Sequence, residues 1–149
     1  MENVSHGMAH RSVMNQLVRI ETLCWSARLW QVLLVACTGS ILYLSLTPVP
    51  PAVSTGWDKS NHALAMAVVT LLAHQSAKLK PWALYFAFAY ALLLGAAIEL
   101  LQGWCTTTRS AEWFDLVADL VGITIMIVFL KWYEDRAVRR RMSSSPPAV

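Results

Sequence analysis

Four runs of mainly apolar residues divide the chain, and polar or helix-breaking residues separate them. The runs cover about residues 29–47, 62–77, 82–101 and 111–132. Pro48 ends the first, because proline cannot continue a helical hydrogen-bond ladder, and a tight turn at 78–81 joins the second to the third. Runs of this length approach the ~20 residues that a helix needs to cross a bilayer. The pattern predicts an all-α integral membrane bundle of four transmembrane helices.

A row of acidic residues opens the fourth run. Glu112, Asp115 and Asp119 recur at helical spacing, and Gly122 continues the same row. A helix would place all four on one face. Carboxylates exposed to hydrocarbon are costly, and a glycine lets a neighbouring backbone come close. We therefore expect this face to point into the bundle.

Composition supports a membrane protein. The chain of 149 residues is 56% apolar and only 14% charged, whereas soluble domains carry roughly 25% charge. Most of the seven Trp flank the predicted spans, as in an aromatic belt. The sequence lacks an aromatic-interleaved basic patch, so no nucleic-acid partner is expected. It also lacks P-loop, HExxH and G-x-S-x-G motifs, and its three Cys have neither metal nor redox spacing.

The distribution of Lys and Arg predicts the orientation. The N-terminal segment, the 78–81 turn and the 131–141 cluster are basic, whereas the intervening loops hold only Lys59 and Arg109. The sequence thus predicts a multi-pass protein of the plasma (inner) membrane, and the positive-inside rule places both of its termini in the cytoplasm. Residues 1–28 form a cytoplasmic segment without a cleavable signal peptide, either a short amphipathic helix or a loosely ordered lead-in. Residues 29–133 form the membrane domain, and 134–149 a basic, then disordered, tail.

This topology gathers ionisable groups from separate stretches at the extracytoplasmic end. They are Asp58, Lys59 and His62 before or at the start of the second run, Glu99 and Gln102 at the end of the third, and Arg109, Glu112, Asp115 and Asp119 around the start of the fourth. Because a buried charge is costly alone, we expect a neutralised network. We expect Glu99 to pair with Arg109 or Lys59, and His62 to contact Glu99 or Asp115.

Four blocks of sequence resemble the VanZ-like membrane protein family, named for a protein of teicoplanin resistance. They are SLTP at 45–48, DKSNH at 58–62, GAAIELLQ at 95–102 and RSAEWFDLVADLVG at 109–122. The chain departs from the family pattern at Asp119, usually Asn, at Met66, usually aromatic, and at Met126, usually Gly. The resemblance implies a bacterial cell-envelope location and a role related to the cell wall or to glycopeptide antibiotic resistance. It supplies no reaction.

Our first hypothesis is a polar pocket that acts on an envelope lipid or cell-wall precursor. Lys59 and Arg109 would hold a phosphate or carboxylate, and His62 with Glu99 would be the acid–base pair. Asp115 would orient the His or bind a divalent cation, which the sequence does not establish. The remaining substrate-binding candidates are Asp58, Gln102, Glu112 and Asp119.

Two rival interpretations stay open. A non-catalytic membrane protein would bind or shield an envelope component or an antibiotic, and in a purely structural network the charges would only hold helices together. The expected partners are membrane lipid and a lipid-linked or anionic substrate. Whether the protein is an enzyme, which cofactor or metal it uses, and whether it forms a homo-oligomer are left open by the sequence.

Overall fold

In the computed structural model, residues 25–47, 58–105 and 113–143 are described, and every regular element in them is an α-helix. Helix α1 is described over Trp25–Leu46, and α2 (Asp58–Ala77), α3 (Ala83–Cys105) and α4 (Trp113–Ser143) follow. The all-helical fold predicted from the hydrophobic pattern is confirmed. Three of these helices, α1, α3 and α4, are long and apolar enough to span a membrane, whereas the more polar α2 does not meet that criterion.

Helix α2 lies between its neighbours, packed against both α3 and α4. Its Met66, Val69 and Ala73 are almost completely buried. They form the centre of an apolar core to which each described helix contributes. The other buried members are Leu34 of α1, Ala87, Ala91, Leu94 and Ile98 of α3, and Ile123 of α4. The position of α2 explains why it tolerates polar residues: they face protein.

Small residues allow the helices to approach closely. Ala87, Ala91 and Gly95 recur every four residues on α3 and are buried against the core. Gly122 of α4 lies directly against α2, where a Cβ atom would overlap the backbone carbonyl of Ala63. Such small-residue contacts are typical of packing between membrane helices, in which van der Waals contact replaces the hydrophobic effect.

The face of α4 predicted to point inward does so. Asp115 and Asp119 are 6% and 1% exposed, and Gly122 is buried beside α2. The prediction is therefore confirmed for these three residues, while Glu112 lies outside the described part of the chain.

The outside of the bundle is apolar. Val35, Leu93 and Ile125 are exposed to between 63% and 70%, far more than Asp115 or Asp119. Soluble proteins rarely leave such large apolar surfaces in water, and a lipid environment removes the penalty. Polar side chains inside and aliphatic side chains outside indicate a membrane protein.

Helix α4 does not end near Trp132, as the hydrophobic pattern suggested, but continues to Ser143. Residues 133–143 contain neither Gly nor Pro, so nothing breaks the ladder, and Asp135 and Arg139 are spaced for an i,i+4 ion pair. The Arg136 guanidinium also lies over the Trp132 ring, 4.1 Å from its centroid. The basic stretch is thus part of the helix, and the disorder expected further on concerns residues outside those described.

Candidate functional site

A cluster of polar side chains lies at one end of the bundle. We call it the polar cluster; it consists of Lys59 and His62 from α2, Glu99 and Gln102 from α3, and Asp115 and Asp119 from α4. Helices α2 and α4 begin at this end and α3 finishes there. Acidic groups near the first turns of α4 are favoured by the positive end of its helix dipole.

His62 lies between two carboxylates of α4. Its Nδ1 lies 3.2 Å from Oδ1 of Asp119, and its Nε2 lies 4.0 Å from Oδ2 of Asp115. A carboxylate accepts hydrogen bonds, so Nδ1 donates to Asp119, and in the neutral ring Nε2 keeps its lone pair. The imidazole is oriented by one acid and directs its second nitrogen towards another.

Lys59 lies on the more open side of the polar cluster. Its Nζ donates to Oδ1 of Asp115 at 3.2 Å, and its side chain is 32% exposed. The ammonium also lies 5.6 Å from the centroid of the Phe114 ring. Asp115 therefore bridges Lys59 and His62, with one oxygen directed to each.

Glu99 brings α3 into the cluster. It is 8% exposed, and one possible ligand atom from each of His62, Glu99 and Asp115 lies within 4.8 Å of the other two. The predicted proximity of His62 to Glu99 and Asp115 is thus present in the fold. The chemical roles assigned to these residues stay predictions.

Asp119 is the most deeply buried acid of the cluster. Its Oδ2 has no hydrogen-bond partner among the described residues and points at Gly95, where an added Cβ would lie 2.6 Å away. Sequence reasoning grouped Asp119 with substrate-binding candidates and gave Asp115 the task of orienting His62. In the structure the shorter contact to the ring is made by Asp119.

Gln102 connects α3 to the end of α1. Its Nε2 donates to the backbone carbonyl of Ser45 at 3.1 Å. The last carbonyls of a helix have no partner within the helix, so Gln102 caps α1. This contact gives Gln102 a structural task beside the substrate-binding one predicted for it.

Three predicted site residues lie wholly or partly beyond what the structure describes. Arg109 and Glu112 are outside the described residues, and for Asp58 only the backbone is described, as the first residue of α2. The pairing of Glu99 with Arg109 or Lys59 therefore stays a prediction.

A second histidine–carboxylate pair, between the buried His74 and the half-exposed Glu134, lies at the opposite end of the bundle and was not predicted. His74 Nε2 donates to Oε1 of Glu134 at 2.9 Å. The pair follows from the register of α2 against α4, which only the structure supplies. In a four-span bundle these helices run parallel, and the 57-residue offset between His62 and Asp119 places His74 near residue 131, one turn before Glu134.

Comparison of the chain with protein-family models, curated protein sequences and solved structures finds no match.

Proposed function

We propose that this chain is a four-span, VanZ-like protein of the plasma membrane whose polar cluster lies at the extracytoplasmic face. There it acts on an anionic cell-envelope lipid or lipid-linked cell-wall precursor. The observation that carries the proposal is the arrangement of His62, which is held at Nδ1 by Asp119 and directs Nε2 towards Asp115 beside Lys59. A largely buried imidazole that lies between two carboxylates and near a cation is suited to chemistry on an anionic group.

The topology of this proposal counts α2 as a span. Its 20 residues extend about 30 Å as a helix, which matches the hydrocarbon thickness. Because α2 packs against α3 and α4, its polar side chains need not meet lipid. With four spans, the basic segments around 1–28, 78–80 and 131–141 share one side, and the positive-inside rule assigns that side to the cytoplasm.

Cysteine labelling in intact cells tests this topology. In single-cysteine variants, a membrane-impermeant maleimide should modify Cys105, at the polar-cluster end of α3, and should spare Cys24. Cys37, within α1, provides a control for reagent that enters the bilayer. Labelling of Cys24 with protection of Cys105 would reverse the orientation and remove the polar cluster from the outer face.

The polar cluster contains the side chains needed to bind an anionic group and to act on it. Lys59 is partly exposed, and its ammonium contacts Asp115 at 3.2 Å, so an incoming phosphate oxygen can reach its charge from the open side. Two uses of His62 Nε2 fit the geometry: proton transfer, with Glu99 as the partner acid, and ligation of a divalent cation. In both, Asp119 keeps the ring in place.

The alternative function is binding without chemistry, in which the protein shields an envelope component or a glycopeptide antibiotic's target. The partly exposed ammonium of Lys59, held by the buried Asp115, would serve binding as well as catalysis. The two differ at His62: chemistry needs Nε2, whereas recognition of an anion by Lys59 does not. Variants at His62 therefore separate the two proposals.

Replacement of His62 by Gln should abolish function while the protein still inserts. We expect the change in envelope-lipid composition caused by expression of the wild-type protein to fall about 100-fold or more, the scale of a lost acid–base group. Mass spectrometry of envelope lipids, with teicoplanin susceptibility measured alongside, provides the readout.

His74→Gln is the matched control, because His74 is also a mostly buried histidine paired with a carboxylate, at the other end of the bundle. It should keep the wild-type lipid profile. If His62→Gln binds anionic lipid and acts on cells like the wild type, the catalytic proposal falls and the shielding function is favoured. If both His variants lose function equally, the effect is one of stability.

A further inference from the structure

We propose that the polar cluster binds a divalent transition-metal ion through His62, Glu99 and Asp115. One donor atom from each lies within 4.8 Å of the other two, and Nε2 of His62 is 4.0 Å from Oδ2 of Asp115. Ligands about 2.0–2.2 Å from one ion lie roughly 3–4.4 Å apart, so only small side-chain movements close the site. Three helices contribute one ligand each, which fixes the spacing through the packing of the bundle.

His62 and Asp115 are each supported by a residue of the other helix. Asp119 accepts from Nδ1 of His62 at 3.2 Å, the carboxylate–histidine arrangement that orients metal-binding imidazoles and leaves the other nitrogen for the ion. Lys59 holds Oδ1 of Asp115 at 3.2 Å and leaves Oδ2 directed towards His62. Ion pairing of His62 with Asp119 and of Lys59 with Asp115 does not by itself require Nε2 of His62 and Oδ2 of Asp115 to face each other.

Burial supplies an independent reason. Glu99, Asp115 and Asp119 are each less than 9% exposed, and a group of three carboxylates in a low-dielectric interior repels itself strongly. The Oδ2 atom of Asp119 lacks a hydrogen-bond partner among the described residues although its side chain is 99% buried. A divalent cation beside the cluster would stabilise this concentration of negative charge.

The donor set selects the class of ion. One imidazole nitrogen with two carboxylate oxygens suits Zn²⁺ or Mn²⁺ better than Ca²⁺ or Mg²⁺, which prefer oxygen alone. Three protein ligands leave at least one position for water or a substrate oxygen, as in catalytic sites. The metal site rests on geometry, whereas its use to bind the phosphate of an envelope lipid rests on the proposed function.

Metal content of the purified, detergent-solubilised full chain tests the site. After removal of loosely bound metal, plasma mass spectrometry should find about one Zn²⁺ or Mn²⁺ per chain, and titration with each ion into chelator-treated protein should identify the tighter one. Glu99→Gln and Asp115→Asn should weaken binding at least 100-fold. Asp119→Asn, which replaces the carboxylate behind His62 with a neutral amide but removes no ligand, should weaken it about 10-fold.

Glu134→Gln is the control, because it changes the carboxylate of the other histidine pair, and it should bind the ion like the wild type. The inference is overturned if wild-type protein that elutes as a single species takes up neither ion, or if Glu99→Gln binds as tightly as the wild type. Metal binding without any effect of the protein on envelope lipids would leave the site in place and remove the proposed function. If the effect on lipids survives complete chelation, the proposed function stands and the metal ion has no part in it.

Discussion

Replacing Gly122 by Leu should destabilise the bundle by about 3 kcal/mol or more, beyond the usual cost of overpacking a core. Even a Cβ atom at this position would overlap the carbonyl of Ala63, a backbone group that cannot rotate away. Helices α2 and α4 would have to separate, and the contacts of Lys59 and His62 with α4 would separate with them. The unfolding midpoint in detergent should fall sharply, and function should be lost in the same variant.

Gly39→Leu is the matched control for that experiment. Gly39 also lies within a helix, but an added Cβ would meet nothing within 4 Å. Its replacement should leave the midpoint unchanged or raise it slightly, since glycine disfavours a helix by roughly 1 kcal/mol. A midpoint for Gly122→Leu as high as that of Gly39→Leu would show that α2 and α4 do not touch at this point.

The inward face of α4 was predictable because it depends on sequence spacing alone. Acids three and four positions apart share a helix face, and their cost in lipid fixes which way that face points. The number and direction of the spans bring His62 to the end of the bundle that holds Asp115. Both inferences work without knowledge of how deeply each helix sits relative to the next.

The partner of His62 could not be predicted, because that depends on the register between two helices. Asp115 and Asp119 lie one turn apart, about 5.4 Å along the axis, and a shift of α4 by this distance would exchange them. The contact of Gly122 with Ala63 sets the register of α4 against α2, and the fit of Asp119 against Gly95 sets that of α4 against α3. The sequence marks Gly122 as a point of close approach, but it does not say which residue of the neighbouring helix lies against it.

The length of α4 was missed for a different reason. The basic residues after Trp132 were interpreted as a topological signal, and the hydrophobic pattern ends there. Helix formation, however, requires only that no residue breaks the ladder, and the next proline is Pro146. Hydrophobic periodicity predicts where a helix is buried and does not predict where it stops in water.

Gly95→Ala should cost about 1–3 kcal/mol, the range for overpacking, and should impair the site. The new methyl group would lie 2.6 Å from Oδ2 of Asp119 and 3.3 Å from its Cγ, so the carboxylate must move. Oδ1 of the same carboxylate accepts from His62, and His62 would therefore lose its orientation. We expect a lower unfolding midpoint and weaker function, whereas Gly39→Ala, the matched control, should change neither adversely.

The effect of Gly95→Ala should vanish when Asp119 is also changed to Ala. The double variant removes the carboxylate that the methyl group displaces, and the methyl group then fills part of the space left behind. Relative to Asp119→Ala alone, Gly95→Ala should be neutral or stabilising by up to about 1 kcal/mol, the helix propensity difference between Gly and Ala. A double variant that is at least as stable as Asp119→Ala but has no function would show that Gly95 is small because the Asp119 carboxylate occupies the space beside it. It would also show that Asp119 serves to orient His62. If the losses of stability add in the double variant, the methyl group at position 95 does not touch the Asp119 carboxylate. The proposal that this carboxylate orients His62 through its fit against Gly95 would then be contradicted.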